Sequence, residues 1–440
     1  MTMRRLLAAS LAATLGLATT VPALAATDIT LFRFFGSCND QYAGVTDLDK
    51  AVGECGIIQV LTNKFNAEHK GDIAVKTQAV DWGTYYNRLN ATFVNRNPPA
   101  VAVMHRSHLG DYAARHLLTP LDDLFKQVGI DKSDFVPAAL KGVTFDGKIY
   151  ALPFDLHAIL WHMNTGLLGK AGLVGDDGQP TIPKSVDELM AQAKKFKDAT
   201  GKPYLLLAGS VDPMVTRLFE TLVWQQGGHL IDSDLKHANI DSPEAHKALA
   251  LINELIDKGY MAAKYNYTES QQAFLDGEGA VLINGTWVIN DYDQQASNKA
   301  SALSGYAVST FPTLYSEPAV WADGHCWVMP RGGARGDQRQ AAAKLLKYFY
   351  DNDLAWSHTG HLPVRASVLN GDAFRSLPHR DAILSTTNEA RGVPGATRSQ
   401  AGIQDALNEQ LQATYLTGKD QDAALKAAQK RVDGILSGRH

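Results

Sequence analysis

The sequence lacks the short motifs that usually mark a catalytic site. It contains no Gly-rich phosphate-binding loop, no His-Glu-x-x-His zinc motif and no Gly-x-Ser-x-Gly nucleophile elbow. Two histidine pairs, His105 with His108 and His358 with His361, have no further ligands at a spacing that would fix a metal. We therefore predict that the chain is not an enzyme, uses no cofactor and holds no metal, and that these histidines lie in loops or at the surface.

The chain also lacks an excess of positive charge. Its 42 Lys and Arg residues stand against 46 Asp and Glu residues, which gives a net charge of −4. This balance argues against nucleic acid or an anionic lipid surface as the partner. Because 440 residues exceed the usual size of a single hydrophobic core, we expect two domains.

Long apolar runs are absent after the N-terminal segment. That segment, residues 1–25, begins with Arg4 and Arg5, continues with an apolar stretch and ends in Ala23-Leu24-Ala25. These are the parts of a secretory signal peptide, which predicts a periplasmic protein. The alternative, a membrane anchor, is disfavoured because the stretch is short and is interrupted by Thr and Pro. No cysteine follows the predicted cleavage site, so we expect no lipid anchor.

Cysteine is scarce, with three residues in the whole chain. Cys38 and Cys55 flank a short segment, and we predict that they form a disulfide in the oxidising periplasm. Cys326 is left over. Its apolar neighbours in "GHCWVMP" favour a buried thiol in a strand.

What the sequence does contain is an alternation of strands and helices. Residues 27–36 are typical of a buried strand, 56–71 of an amphipathic helix, 72–80 of a second strand, 81–95 of a second helix and 98–108 of a third strand. This order predicts an α/β fold with mostly parallel sheets.

The middle and the end of the chain repeat the alternation with clear helix boundaries. Ser185 and Glu188 form a predicted capping box, and Thr268 and Gln271 form another before the strand at 280–284. The tail at 400–437 has the pattern of two helices, the second beginning after Asp420.

Four tryptophans lie at the ends of predicted elements. They are Trp82, Trp224, Trp287 and Trp321. An aromatic side chain in that position of an α/β domain lies near the crevice where such folds bind ligands. An indole face can stack on a sugar ring while polar neighbours bind the hydroxyl groups. The alternative for each tryptophan is simple burial in the core.

Four stretches of the chain are similar in content and order to family 1 extracellular solute-binding proteins, the receptors of carbohydrate ABC importers. They are residues 147–173, 182–196, 273–288 and 360–368. The resemblance implies two α/β lobes joined by a hinge, with the ligand cleft between them. It places the N-terminal lobe at 27–138 plus 304–350 and the C-terminal lobe at 139–303 plus 351–440.

The resemblance also implies a set of cleft residues. Trp287 matches the family tryptophan that stacks on the sugar, and His157 falls where an acidic residue binds sugar in maltose-binding proteins. Ala100 replaces a family aspartate, which leaves His105 and Arg106 at the cleft end of their strand. The full set of candidates is Asp40, Asp81, Trp82, His105, Arg106, Asp155, His157, Trp224, Trp287, Asp323, His325 and Arg365. Arg365 could instead anchor a loop.

The resemblance thus implies a monomeric periplasmic receptor that delivers a carbohydrate to the membrane permease of an ABC importer. An alternative of the same fold is a receptor for a polyamine or another cation, which Asp81, Asp155 and Asp323 leave open. A secreted glycosidase or lyase is the third possibility, although no pair of catalytic carboxylates can be selected from the sequence.

Overall fold

The structure of the chain is a computed structural model that describes residues 26–393, 395, 397 and 399–438. The predicted signal peptide lies outside the described residues. The described strands are β1 Thr27–Arg33, β2 Ile73–Ala79, β3 Val101–His105, β4 Thr144–Phe145, β5 Lys148–Ile149, β6 Ala151–Pro153, β7 His157–Asn164, β8 Leu205–Leu207, β9 Met261–Ala262, β10 Val281–Gly285, β11 Tyr306–Thr310, β12 Val320–Asp323, β13 His325–Val328 and β14 Ala390–Arg391.

Helices occupy most of the remaining chain. They are α1 Gly53–Glu68, α2 Trp82–Val94, α3 Arg106–Ala114, α4 Asp122–Val128, α5 Pro137–Gly142, α6 Thr165–Lys170, α7 Val186–Thr200, α8 Met214–Gln225, α9 Pro243–Asp257, α10 Tyr267–Leu275, α11 Ile289–Ser297, α12 Asp337–Asp351, α13 Asp353–Ser357, α14 Ala366–Leu369, α15 Asp372–Arg375, α16 Arg380–Ile383, α17 Thr386–Glu389, α18 Gln400–Leu416 and α19 Gln421–Leu436. Short 3₁₀ helices cover Leu48–Lys50, Lys132–Asp134 and Thr286–Val288.

Two mixed sheets form the two lobes. The first has the order β2-β1-β3-β13-β6, in which β1 pairs in parallel with β2 and β3, and β13 runs antiparallel to β3 and β6. The second has the order β14-β12-β7-β10-β8-β9, with β11 also paired to β7. The fold is therefore α/β as predicted, but the sheets are less parallel than expected, because β7 and β13 each run antiparallel to the strands on both sides of them.

Each sheet has its own hydrophobic core. The first core gathers side chains from β1, β3, β13 and α12, including the fully buried Leu31, Trp327 and Leu346. The second gathers side chains from β7, β10, α8 and α9, including Trp161 and Phe219. Separate cores allow the lobes to move as rigid units about the segments that join them.

The chain passes between the two lobes at three places. It leaves the first sheet at Asp155–Leu156, between β6 and β7, and returns at Gly324, between β12 and β13. The third passage lies in the segment after α13, where Leu362 packs with Leu160 of β7 while Trp356 and Val364 pack in the first core.

These strand pairings differ from the lobe boundaries expected from the sequence. Residues 139–154, expected in the C-terminal lobe, include β6, which pairs with β13 in the first sheet. Residues 304–323, expected in the N-terminal lobe, include β11 and β12, which pair with β7 in the second sheet. The expected boundary at residues 303–304 instead falls in the segment that connects α11 to β11 within the second lobe.

Local capping rules fix most helix ends. Ser185 accepts a hydrogen bond from the Glu188 amide, and Asp420 accepts one from the Ala423 amide, as predicted. The predicted box at Thr268 and Gln271 is wrong by two residues. Asn266 and Glu269 form it instead, because an asparagine caps a helix as well as a threonine does and here precedes a glutamate at the required spacing.

Among the described residues no helix has the length and apolarity needed to cross a membrane. The Cys38–Cys55 disulfide is present, with the two Cα atoms 6.1 Å apart, and Cys326 is a buried free thiol in β13. Both cysteine predictions are therefore confirmed.

Candidate functional site

A cavity of about 860 Å³ lies between the two lobes. Its first-lobe wall is made by the end of β3, by α3 and by the β4–β5 hairpin, and its second-lobe wall by α8, β12, β14 and α18. Polar side chains reach the cavity from the ends of β3 and β12, from the first turns of α3 and α18, and from α8. A cavity of this size matches those that hold small ligands in proteins.

Four of the sequence-predicted residues line this cavity. Trp82 begins α2 and is 42% exposed, His105 ends β3, Arg106 begins α3, and Asp323 ends β12. They come from both lobes, so a ligand in the cavity would contact both.

The first-lobe wall is rigidly supported. Phe34 stacks on the His105 ring at 5.1 Å between centroids, and Tyr86 Oη lies 2.8 Å from His105 Nδ1. Burial lowers the pKa of His105 well below its ordinary value, and the nearby His325 lowers it further. His105 is therefore a neutral imidazole near pH 7, which suits it to bind a neutral polar ligand.

Asp323 connects the two walls. Its Oδ1 accepts hydrogen bonds from the amides of Ser107 at 3.2 Å and Gly324 at 2.8 Å, and it lies 3.7 Å from Arg106 Nε. Because Ser107 and Arg106 belong to the first lobe while β12 belongs to the second, this carboxylate helps to set the spacing of the walls.

The second-lobe wall contains a layered arrangement of two aromatic rings and a cation. The Arg217 guanidinium carbon lies 4.4 Å from the centroid of the Trp321 ring and 5.8 Å from that of Trp287. Such contacts hold an arginine in place through its attraction to the ring faces. Arg217 and Trp321 both line the cavity.

Two charged side chains on α8 have atoms without partners. Arg217 Nε and Glu220 Oε2 are buried, and neither has a hydrogen-bond partner within the described residues. Burial raises the pKa of Glu220 to about 8, against the opposing effect of Arg217. Both side chains also line the cavity, so their other polar atoms can meet the hydroxyl groups of a ligand.

Sequence reasoning missed Arg217 and Glu220. The segment 213–228 has the apolar content of a buried helix, and its two charged residues were not singled out. Yet α8 is buried on almost every side, Arg217 and Glu220 included. Charged residues within a helix that is otherwise apolar all round are the signal that could have found them, since burial of an unpaired charge is costly.

Trp287 follows β10, as predicted, but lies behind the cavity wall. Its ring folds back over Gly285, where an added Cβ would lie 2.0 Å from the indole. Its Nε1 donates to Tyr267 Oη, and its ring meets the His157 imidazole edge-to-face at 5.5 Å. Trp287 is half-buried and supports Arg217 and His157 from behind.

Asp155, His157 and His325 lie at the floor of the cleft, where the chain crosses between lobes. Asp155 Oδ1 accepts from the His325 amide at 2.9 Å and lies 3.1 Å from His157 Nδ1, and its Oδ2 lies 2.7 Å from His325 Nδ1. Trp356 Nε1 donates to the same Oδ2 at 2.7 Å. Burial alone raises the pKa of Asp155, but His325, His361 and these hydrogen bonds outweigh it and hold that pKa well below its usual range.

The remaining candidates do not come together with this group. Asp40 is exposed in the turn after Cys38, and Asp81 caps α2 by accepting from the Gly83 amide. Trp224 is half-buried against the second core. Arg365 anchors a loop, since its Nε donates to Asp134 Oδ2 at 2.7 Å.

The histidine pairs behave differently from the prediction. His358 is exposed, as expected, but His105 is buried at the end of a strand, and His361 lies in a loop that is fully buried. The sequence spacing of each pair has no role. Each buried histidine instead meets partners from other segments, namely His157 and His325.

The chain belongs to the bacterial extracellular solute-binding proteins, whose family model matches residues 61–382, well over half of its length. Members of this family bind solutes rather than transform them. The two-lobe architecture, the interlobe cavity and the family match together confirm the fold and the family that the sequence resemblance implied.

The names of individual relatives include different ligands. The chain is 23% identical to the maltotriose-binding protein of Pyrococcus abyssi over 79% of this chain and 72% of that protein. It is 25% identical to the sn-glycerol-3-phosphate-binding periplasmic protein UgpB of Escherichia coli K12, over 87% of this chain and 90% of that protein.

Solved structures share the fold over nearly the whole chain. The GacH receptor of Streptomyces glaucescens, solved unliganded and with acarbose, superposes with a TM-score of 0.77 at 22% identity, covering 94% of this chain and 99% of that one. Maltose-bound MalE3 of T. maritima gives 0.76 at 20% identity, covering 93% of this chain and 100% of that one.

Proposed function

We propose that this protein is the receptor of an ABC importer and that it binds a carbohydrate in the cavity between its lobes. The observation that carries the proposal is the second-lobe wall of the cavity, where the Arg217 guanidinium lies over the Trp321 ring and Glu220 lines the same space. A sugar hydroxyl both donates and accepts hydrogen bonds, so it can satisfy a guanidinium and a carboxyl group at once. The apolar C–H face of the same sugar suits an indole.

Residues from the opposite wall complete the proposed site. Trp82 offers a second, exposed aromatic face, while His105, Arg106 and Asp323 offer polar groups from the first lobe and the crossing. We propose that ligand binding holds the lobes together through these contacts, by rotation at the three passages of the chain. Relatives bind maltotriose, maltose or acarbose, which supports a carbohydrate as the ligand of this protein.

A polyamine receptor is not favoured. Such a site needs an excess of carboxylates facing the ligand, whereas Arg106, Lys141, Arg217 and Arg391 line this cavity and Asp323 lies 3.7 Å from Arg106 Nε. Glu220 lies near Arg217 and, with its raised pKa, is largely protonated at neutral pH.

A glycerophosphodiester or sugar phosphate is a second candidate. Four cationic side chains line the same cavity, namely Arg106, Lys141, Arg217 and Arg391. Relatives named UgpB support a phosphate ester. The Escherichia coli K12 protein is named for sn-glycerol-3-phosphate, and the Mycobacterium tuberculosis protein, in complex with glycerophosphocholine, superposes with a TM-score of 0.75 at 21% identity over 94% of this chain and 99% of that one.

Export and delivery follow from the same proposal. Residues 1–25 would act as a cleaved signal peptide, no lipid would be attached, and the monomeric receptor would present its ligand to permease subunits in the membrane. The disulfide and the family match support an extracytoplasmic location.

A ligand panel tests the function. Malto-oligosaccharides, other disaccharides, glycerol-3-phosphate, glycerophosphocholine and spermidine would each be added to the protein while the melting temperature and tryptophan fluorescence are recorded. A ligand that binds only the native state raises the melting temperature in a saturable manner. We expect this response for a neutral saccharide with no product in the supernatant.

Each other outcome has a distinct meaning. If only the phosphate esters raised the melting temperature, the ligand would be a phosphate ester and not a neutral sugar. If only spermidine raised it, both the sugar and the phosphate ester would be excluded as ligands. Release of a hydrolysed product would contradict the receptor and support a glycosidase.

A further inference from the structure

Four buried side chains with metal-binding atoms meet where the lobes join. They are Asp155, His157, His325 and His361, which are 3%, 1%, 5% and 0% exposed. One ligand atom from each lies within 4.8 Å of the others. The ring nitrogens nearest the Asp155 carboxylate are Nδ1 of His157 at 3.1 Å, Nδ1 of His325 at 2.7 Å and Nε2 of His361 at 3.8 Å.

His361 supplies an independent sign that this cluster is incomplete. Its Nε2 is buried and has no hydrogen-bond partner in the described part of the chain. The other nitrogen, Nδ1, lies 2.6 Å from Thr359 Oγ1. Since that hydroxyl donates its only proton to the Trp356 carbonyl at 2.7 Å, it can only accept from His361, so Nδ1 carries the ring proton.

The consequence is an electrostatic mismatch at Nε2. In the neutral ring this nitrogen presents a lone pair, and its nearest polar neighbours are two carboxyl oxygens, Glu54 Oε1 at 3.4 Å and Asp155 Oδ2 at 3.8 Å. These electron-rich atoms are accommodated in a buried space when a proton or a metal ion lies between them.

We infer that Asp155, His157, His325 and His361 form a binding site for a divalent transition metal ion such as Zn²⁺. Imidazole nitrogens with one carboxylate are a donor set that suits zinc, copper and nickel rather than calcium or magnesium. Tetrahedral zinc with bonds of about 2.0–2.1 Å holds its ligands roughly 3.4 Å apart. The widest separations in the cluster therefore have to shorten, whereas the 2.7 Å contact between His325 Nδ1 and Asp155 Oδ2 has to lengthen. The Nδ1–H of His361 on Thr359 is the outer hydrogen bond that metal-bound histidines usually make.

The position of the site gives the metal a structural role. Asp155 and His157 flank the first passage between lobes, His325 follows the second, and His361 lies on the third. A bound ion would therefore tie together all three connecting segments and reduce the freedom of the hinge. This role is separate from the carbohydrate proposal, since none of these four side chains lines the cavity between the lobes.

Zinc titration of the full chain without a polyhistidine tag tests the site. After dialysis against a chelator, the protein would be titrated with ZnCl₂ by calorimetry, and Co²⁺ would be added to a second sample to record its visible absorption. We expect one Zn²⁺ per chain, a rise in melting temperature, and the intense spectrum of four-coordinate Co²⁺. His361→Gln should weaken Zn²⁺ binding at least tenfold.

The matched control is His229→Gln, which removes an exposed histidine far from the cluster and should leave Zn²⁺ binding unchanged. Circular dichroism would establish that each variant folds. If His361→Gln does not fold, the Co²⁺ spectrum of the unaltered chain still tests whether the metal is bound by four ligands. Absence of binding of Zn²⁺, Co²⁺, Ni²⁺ and Cu²⁺ to the unaltered chain would overturn the proposal. If His361→Gln and His229→Gln weakened Zn²⁺ binding equally, or if neither weakened it, the ion would be bound at surface sites and the proposal would also be overturned. A sugar titration carried out in parallel keeps failure of this site distinct from failure of the carbohydrate proposal.

Discussion

Arg217 and Glu220 combine burial with polar atoms that lack partners. A folded protein rarely leaves such atoms unpaired, because each unsatisfied buried group costs free energy. Both side chains also line the interlobe cavity, which places them in the proposed ligand site. The sequence placed both Trp82 and Trp224 at the end of an element, but only Trp82 lines the cavity, whereas Trp224 packs against the second core.

Trp82→Ala should weaken ligand binding by roughly 1–3 kcal/mol, as expected for an aromatic anchor in a binding site. Its ring is 42% exposed, so the melting temperature without ligand should change little. Trp224→Ala is the matched control, and it should lower stability while leaving affinity unchanged because it packs against the second core. Calorimetry and thermal denaturation measure the two effects, and the reverse pattern would contradict the proposed role of Trp82.

Gly285→Ala should destabilise the protein by about 1–3 kcal/mol, since its new Cβ would lie 2.0 Å from the Trp287 ring. In a Trp287→Ala background the same change should cost much less, because the ring that it displaces is gone. Urea unfolding of the four variants of this double-mutant cycle measures the coupling. Additive costs would mean that the ring does not require glycine at this position.

Glu220 should make stability fall as the pH rises. Its pKa is about 8 in the folded chain and 4.5 in the unfolded one, so between these values the folded state holds a proton that the unfolded state has released. The free energy of unfolding therefore decreases with pH in this window, by up to about 1.4 kcal/mol per pH unit.

Glu220→Gln should remove this part of the pH dependence, whereas Glu68→Gln, at an exposed position, should not. Urea unfolding at pH 5, 6.5 and 8 measures the free energy of unfolding of each variant. Burial also raises the pKa of Asp353 to about 8, so Asp353 adds to the pH dependence of every variant, and only the difference between variants reports on Glu220. Parallel curves for the Glu220→Gln and unaltered proteins would refute the expectation.

Among the elements, helix and strand positions follow closely from local sequence. Ser185, Asp420 and the alternation of the first hundred residues lead to the observed helices and strands, because capping and hydrophobic periodicity act over a few residues. The error at Asn266 arises where two overlapping capping boxes were possible. Strand partners were less predictable, since pairing depends on residues far apart in the chain.

The Cys38–Cys55 disulfide stabilises the loop that leads into α1. It closes a loop with a sequence separation of 17 residues, and the chain-entropy estimate for such a loop is about 3 kcal/mol. Replacing both cysteines by serine should lower the free energy of unfolding by roughly that amount. A reducing agent should destabilise the unaltered protein but not this variant, and equal effects on both would assign the change to Cys326 instead.

At the scale of the whole molecule, the contacts between lobes connect folding with ligand binding. Asp111 Oδ1 on α3 accepts a hydrogen bond from the Ser399 amide, which precedes α18 of the other lobe, at 2.7 Å. A receptor whose binding-competent form is only partly populated loses apparent affinity by that fraction. An interlobe hydrogen bond of this kind can therefore influence affinity.

Asp111→Ala should shift the unliganded protein towards an open arrangement and weaken ligand binding by about 0.5–1.5 kcal/mol, the net value of one hydrogen bond. Asp111→Asn keeps an acceptor oxygen and should behave more like the unaltered chain. Small-angle X-ray scattering measures the radius of gyration with and without ligand. An unchanged radius together with unchanged affinity in Asp111→Ala would exclude a role in closure.

The sequence alone determined the α/β alternation, the disulfide and the family, because these depend on local periodicity and on motifs that persist in order along the chain. Only the tertiary structure decided which side chains meet. Asp155 contacts His325, 170 residues later, and Trp356, 201 residues later, and it lies near His361. No spacing in the sequence predicts these encounters, since they depend on how two sheets and three crossings pack. The same packing makes Trp287 a support behind the wall and gives Arg217 and Glu220 their place in the cavity.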